Sequence, residues 1–515
     1  MIRDLERDRP ARDERVDVCV VGAGAAGIVL AVELARLGRR VVLLEGGGAE
    51  IEEASQEPYR SEVVGHEHRG VHTGRFRAKG GTTTKWGGQI LELDGIDFER
   101  REWVSGSGWP FAKSELTRHY ERALELEGLR DVEREDGAVW RRLGVAEQRY
   151  AELEPYFSRW CPEPNFAVLH RGALEGERIA VWLHANAVGV EMDGERVTAV
   201  RARTLGGAEA RFEAEEFVFC LGAIESSRFF LQPREGGLPW NASGLLGRHF
   251  QDHIDSNAAR VRVQDRRWFH ERFDNVFLGG FKYHPKLKLT EARQREMRSL
   301  NAGATMYFVS EIDEQLAGLK VTAKKILRGK MGEVSGAEIA GLAGNLPLLA
   351  RQAWRYKTSH RVYNPAEAQV ELRVHCEQEP ESASSIALGE ERDSLGLLRT
   401  RLDWRISETE QATIREFALL AREELADVAE LEINDALMRN DAAYQARCDD
   451  SNHHMGGMRM AASAHAGVVD PELRLHGTKN CFVCSGAVFP TSGFSNPTHT
   501  VLALAVRLAE HLATP

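Results

Sequence analysis

Apolar residues fall along this chain in short runs whose spacing shifts from continuous to helical to alternating. VDVCVVGAG (16–24) is a valine-rich run with no polar face, the pattern of a parallel strand covered on both sides. A glycine turn follows. In AAGIVLAVELARLG (25–38) the apolar residues recur at helical spacing up to Gly38, a natural C-terminal cap, and RRVVLLEGGG (39–48) reads as a second strand. Together these runs predict a βαβ unit as the first ordered part of the chain.

Residues 60–110 have no amphipathic period and are rich in glycine and threonine, above all in RAKGGTTTKWGGQI, which predicts a long ordered loop in contact with a ligand. Residues 112–155 carry a charged helical pattern. From 178 to 232 short strand-like runs recur (VWLHANAVGVEMD, RVTAVRART, FEAEEFVFCLGA) with turn residues between them. Residues 256–450 alternate strand-like runs (AARVRVQ, AQVELRVHC, LLRTRLDWRI) with helical ones such as ETEQATIREFALLAREELA, an α+β pattern. The tail NPTHTVLALAVRLAEHL (496–512) predicts a buried helix, with Ser495 and Asn496 as capping candidates and Pro497 in its first turn. No internal repeat interrupts this order.

Composition narrows the class. A chain of 515 residues exceeds one compact core, so two interlocked domains are expected, and 43% hydrophobic with 28% charged residues is ordinary for a globular protein. The net charge of -11 argues against nucleic acid as a partner and favours a cationic or neutral substrate. No run approaches the roughly 18 uninterrupted apolar residues of a membrane span, and the charged first 17 residues lack the apolar core of a secretory signal, so the reading is cytoplasmic. Seven cysteines without tight spacing fit reduced thiols; the one close pair, Cys481 and Cys484, lies in an apolar strand-like run with no second pair, and no metal site is expected. One basic island stands out. Positions 320–361 hold nine Lys or Arg against two Glu, which reads as a basic helical insertion (about 311–361), a lid, or a docking surface.

The clearest chemistry sits in the first unit. Gly22, Gly24 and Gly27 form Gly-x-Gly-x-x-Gly where strand turns into helix, suited to a tight turn, close backbone approach to a pyrophosphate, and close strand–helix packing. Glu45, at the end of the next strand, can accept hydrogen bonds from ribose hydroxyls. This predicts an adenine dinucleotide without a 2′-phosphate, and does not separate FAD from NAD.

Further markers decide between them. KGGTTTKWGGQI (79–90), GRHFQDH (247–253), HHMGGMRM and VVDPELRLHGTKNCFVCSGAVFPTSGFSNPTHT together resemble the glucose-methanol-choline (GMC) oxidoreductases, in the order that family has, and the SGAVFP form resembles its bacterial sugar and polyol branch. The resemblance implies an α/β FAD-binding, Rossmann-like domain (parallel sheet with helices and a small antiparallel sheet) from 14–110, 175–255 and 450–515. It implies an α+β substrate domain with an antiparallel sheet from 111–174 and 256–449. Around the cofactor it implies, besides the glycines and Glu45, residues Ala25, Ala26 and Gly46 of the first unit. From the loop it implies Gly81, Thr82, Thr83, Trp86, Gly87 and Gly88, and from the remaining chain Val188, Gly486, Ala487, Asn496 and Thr498. Lys85 occupies the place where some members carry a histidine bonded to FAD, so FAD is expected to be non-covalent. Ser485 replaces an aspartate common in the family.

Counting back from Arg459-Met460, the family motif puts the catalytic base on His453, with Gly457 in place of its usual threonine and His454 one residue away. The second active-site position falls on Asn496. An imidazole of ordinary pKa about 6.5 suits a general base near neutral pH, and an amide suits a developing alkoxide. The implied reaction removes a hydride from an alcohol carbon to flavin N5, on a hydroxyl of a sugar, glycoside, aminosugar or polyol. A non-carbohydrate alcohol, a hydroxynitrile lyase-like flavoprotein and a silent binding protein stay open. So do oxygen or a redox carrier as electron acceptor, the oligomeric state, and a role for His499 in the site or in packing.

Overall fold

The computed structural model describes residues 1–10, 16–309, 345–364 and 369–514, with a few positions between 322 and 341. Two large sheets organise them. In the first, strands Ile2–Asp4, Ile179–Leu183, Val41–Leu44, Val16–Val21 and the latter half of Glu209–Phe219 run parallel in that spatial order. Cys481–Val483 adds a parallel strand beside Glu209–Phe219. The first half of that long strand instead pairs antiparallel with Arg196–Arg203, which pairs with Asn186–Asp193. One strand therefore serves both the parallel core and a small antiparallel extension. The apolar run at 16–21 is buried nearly throughout, as two covered faces require.

Two differences from the sequence pattern have local causes. The charged N-terminus is not outside the fold: Ile2–Asp4 is an edge strand, tied down by the terminal ammonium donating to the Ile179 carbonyl at 2.8 Å. VWLHANAVGVEMD is two strands rather than one, because His184 takes a left-handed conformation (φ 52°) and turns the chain from the parallel core into the antiparallel extension.

The second sheet is antiparallel, in the order Ala429–Ile433, Ile254–Val263, Gln369–Cys376, Ala302–Val309, Phe281–Leu289, Leu153–Trp160, Gln89–Ile90. Alternation in QVELRVHC buries Val370, Leu372, Val374 and Cys376 in one core with Ile414, Phe417 and Ala421 of helix Glu408–Glu424. That helix begins with a capping box between Ser407 and Glu410. The opposite face of the sheet carries the polar alternates. A three-stranded sheet (Ser385–Arg392, Leu398–Trp404, Glu62–Gly65) links the 60–110 segment to residues 385–404.

The C-terminal helix Pro497–Ala513 packs on helix Ala25–Arg36 and on helix Thr117–Leu126, where the Tyr120 hydroxyl bonds Thr500 at 2.8 Å. Of the basic island, helix Leu346–Ser359 is described, and the part from 310 to 344 lies almost wholly outside the described residues. Among the described residues no helix is long and apolar enough to cross a membrane.

Candidate functional site

A large cavity opens where the parallel strands end. Three helices, Ala25–Arg36, Gly222–Leu231 and Pro497–Ala513, begin on its wall, and none has a side-chain cap at its first turn. Each start carries backbone N–H groups without intrahelical partners and the positive end of a helix dipole, so together they favour an anionic ligand. Close approach of the walls is a property of glycine here. A Cβ on Gly27 would stand 1.9 Å from the Gly22 carbonyl oxygen, and one on Gly81 (φ +54°) would stand 2.8 Å from Gly24 Cα.

Glu45 lines the same cavity, 6% exposed, and its two oxygens accept from Ala23 N–H (3.0 Å) and Gly47 N–H (2.9 Å). Burial raises its pKa, against the opposing pull of these N–H groups and Arg77. Arg75 and Arg77 also line it, packed over the Tyr59 ring at 4.3 and 5.0 Å. Buried Arg75 Nη1 and Arg77 Nε have no hydrogen-bond partner among the described residues. Uncapped helix starts, unpartnered guanidinium nitrogens and a fixed carboxylate match the pyrophosphate and ribose of FAD, so the residues present fit that cofactor.

At the same cavity stands His453. Its Nε2 is 2.9 Å from the Asn496 amide nitrogen, and its Nδ1 is 2.9 Å from His253 Nδ1. This fixes a proton order. The amide donates to Nε2, so Nε2 holds a lone pair, Nδ1–H donates to His253 Nδ1, and the His253 proton resides on Nε2. Burial first, then the neighbouring imidazoles His253 and His375 and the Lys286 ammonium, hold His453 well below the usual imidazole range. Burial likewise pulls His253 down to about 3. Asn496 is the residue before the C-terminal helix, but its side chain bonds His453 instead of capping the helix, which leaves that helix start free.

Asp252, fully buried, anchors the backbone of this group. One of its oxygens accepts from His453 N–H at 2.9 Å, and the other faces His68 Nε2 at 3.2 Å and His454 Nε2 at 3.8 Å. His68, Asp252 and His454 lie close enough for a metal, but Val71 N–H donates to His68 Nδ1, so the His68 proton sits on Nε2, the atom that faces Asp252. His68 and Asp252 are joined by a hydrogen bond, while His454 Nε2 stands beside them without a hydrogen-bond partner among the described residues. His454 lines the cavity without reaching Asn496. His499 does not line it: burial lowers its pKa, the Glu127 carboxylate at 2.8 Å outweighs this, and the net shift is upward in an inner ion pair stacked on Tyr120.

The cavity collects most of the expected positions: Gly22, Gly24, Ala25, Ala26, Glu45 and Gly46 from the first unit, Gly81, Thr82, Thr83 and Trp86 from the loop, and Gly486 and Thr498 near the C-terminus. It does not collect Gly27, Gly87, Gly88, Val188, Ala487 or Asn496, the last of which reaches it only through its bond to His453. Gly87 lies under the Trp160 ring, where a Cβ would stand 2.7 Å away. Val188 sits at a bulge between Ala187 and Gly189, and its neighbour Ala187 reaches the wall instead. Lys85 is exposed and off the wall, and Ser485 lines it while accepting from Ala487 N–H.

Sequence reasoning missed Tyr59, Arg75, Arg77 and the turn Cys220-Leu221-Gly222-Ala223. The last was findable: EEFVFCLGAIESS repeats the strand–glycine–helix order of the first unit. The arginines carry no local signal, because a distant tyrosine and strand place them.

Family models match at both ends, one described as FAD binding domain over residues 15–75 and one as GMC oxidoreductase over 380–505. The fructose dehydrogenase large subunit of Gluconobacter japonicus is 22% identical over 96% of this chain and 97% of its own. Paromamine 6'-oxidase of Streptomyces fradiae is 28% identical over 46% of this chain and 53% of its own. Among solved structures, pyridoxine 4-oxidase from Mesorbium loti (TM-score 0.59, 17% identity, 96% of this chain and 99% of that one) shares the fold. So does formate oxidase of Aspergillus oryzae RIB40 (TM-score 0.58, 15% identity, 98% and 99%). These matches make the chain an FAD-dependent oxidoreductase of the kind that acts on alcohol groups, with an FAD-binding domain at its start and a GMC oxidoreductase domain over 380–505.

Proposed function

We propose that this enzyme oxidises a hydroxyl of a sugar, glycoside, aminosugar or polyol to a carbonyl, with His453 as general base and Asn496 holding the reacting oxygen. The observation that carries the reading is the 2.9 Å contact between the Asn496 amide and Nε2 of His453, which lines the cofactor cavity. A substrate hydroxyl placed between them donates its proton to Nε2 and accepts from the amide, which then stabilises the charge that develops on oxygen. Proton uptake makes His453 an imidazolium whose Nδ1–H remains donated to neutral His253. Asp252, bonded to the backbone N–H of His453, holds the main chain that carries the ring. Bound FAD supplies the acceptor for the hydride that leaves the carbinol carbon.

Glu45 would take the ribose hydroxyls, while the helix starts at Ala25 and Gly222 with Arg75 and Arg77 would take the pyrophosphate. Exposed Lys85 supports non-covalent FAD. The domain division that goes with this reading is a cofactor domain from 14–110, 175–255 and 450–515, and a substrate domain from 111–174 and 256–449. The names of the sugar-linked relatives support a carbohydrate or polyol substrate. The test is anaerobic addition of sugars, glycosides, aminosugars, polyols and simple alcohols to the FAD-loaded protein. Bleaching of the flavin by the polyhydroxylated compounds is expected. A flavin that no alcohol reduces refutes the reading.

A further inference from the structure

The polar face of the second sheet, turned toward His453, holds buried groups that the fold leaves unsatisfied. Tyr156 Oη, His253 Nε2, Asp255 Oδ1, His284 Nδ1 and Thr305 Oγ1 are buried without a hydrogen-bond partner among the described residues. Lys286, only 8% exposed, makes no hydrogen bond or ion pair among them either. Native proteins pair almost all such groups, so six on one face point to a ligand that completes them.

Strand register makes the set contiguous. Lys286 lies directly across from Tyr156, His284 is two residues further along the same face, and Asp255 and Gly303 flank His375 on either side. A Cβ on Gly303 would stand 2.5 Å from the Phe494 ring and 3.0 Å from the Tyr156 hydroxyl, so this face closes on the segment that leads to Asn496. His253 joins it to the base through the 2.9 Å contact with His453. The charge of Lys286 is felt by Asp255, His253, His284, His375 and His453.

The chemistry of the set selects the ligand class. Lys286 and His253 Nε2–H donate, Asp255 Oδ1 accepts, and the Tyr156 and Thr305 hydroxyls do both. The lysine cation and the aspartate anion offset each other, so neither an anionic nor a cationic substituent is favoured overall. Benzylic or aliphatic alcohols would leave these groups unpaired, which costs affinity. We infer that this face is the substrate subsite and that it takes a neutral, polyhydroxylated molecule, with Lys286, Asp255 and Tyr156 as specificity-determining residues. The inference rests on the alcohol-oxidation reading and narrows its substrate class by setting aminosugars aside.

The test compares wild-type holoenzyme with Lys286→Met and Tyr156→Phe on D-sorbitol, D-glucose, D-glucosamine, D-gluconate and benzyl alcohol. Wild type is expected to prefer sorbitol and glucose over the charged analogues and benzyl alcohol. Each variant is expected to raise KM for the preferred polyol by about tenfold or more, with the loss in KM rather than kcat, so that the polyol-to-benzyl-alcohol ratio of kcat/KM falls. Because the Tyr156 hydroxyl has no partner in the substrate-free protein, Tyr156→Phe should fold and melt no lower than wild type, which keeps the result readable if Lys286→Met folds poorly. Unchanged polyol KM in Tyr156→Phe, or a wild-type preference for gluconate, glucosamine or benzyl alcohol, overturns the inference. If no alcohol bleaches the flavin, the oxidation reading fails separately. Titration of the flavin spectrum with sorbitol then reads the subsite alone: binding lost in both variants supports it, and no binding to wild type overturns it.

Discussion

Replacing His453 by alanine isolates the step that the site geometry implies. The substitution removes the lone pair on Nε2 and leaves Asn496 in place, so the hydroxyl can still be held but its proton has no acceptor at hydrogen-bond distance. Loss of a positioned general base costs about 10²–10⁴ in rate, which corresponds to roughly 2.7–5.5 kcal/mol of barrier. The substitution also strips a partner from His253 Nδ1 and from the Asn496 amide, at about 1–3 kcal/mol of stability for each buried group left unpaired. A lower melting temperature with full FAD occupancy is therefore expected. The assay is anaerobic stopped-flow bleaching of the flavin by the best alcohol. The limiting rate should fall by the stated factor while the substrate dependence changes little. Reduction at the wild-type rate would remove His453 from the mechanism, and a crippled His454→Ala with an active His453→Ala would move the base by one residue.

Further predictions rest on other parts of the structure. Burial holds His453 below the ordinary imidazole pKa of about 6.5, so it stays unprotonated and competent through neutral pH; the acid limb of kcat/KM should lie below pH 6.5, and a limb centred above that value contradicts the assigned cause. The same shift means the unfolded chain binds more protons than the folded one below about pH 6.5, so melting temperature should fall on acidification there. Gly81→Ala drives a Cβ to 2.8 Å from Gly24 Cα at a positive φ and should give protein that purifies with little FAD, checked by the flavin-to-protein absorbance ratio. Arg101 and Glu377 form a bidentate ion pair with both side chains fully buried; Arg101→Ala leaves the buried carboxylate without a counter-charge, held among the described residues only by Asn301 N–H, and should cost about 3–5 kcal/mol in denaturant unfolding.

The local signals in the sequence were strong where one segment carries its own answer. Valine content and glycine spacing marked the first strand, turn and helix, Glu45 followed from its place at the next strand's end, and Pro497 marked the last helix to the residue. Val188 illustrates the limit: a bulge at that point decides which of two neighbouring side chains faces the wall, and the strand pattern does not encode it. His184 hid a strand break inside an apolar run for the same reason.

What the sequence determined, then, is the set of elements and the chemical types at their ends, since periodicity, caps and turns act over a few residues. Only the tertiary structure decided that His453 meets Asn496, 43 positions away, and His253, 200 positions away. It alone turned Lys286 and Tyr156 onto one buried face and left Arg75 and Arg77 with unpaired nitrogens at the cofactor wall. These contacts depend on how the two sheets and the C-terminal helix pack, which is a property of shape across the whole chain and leaves no mark in any one stretch of it.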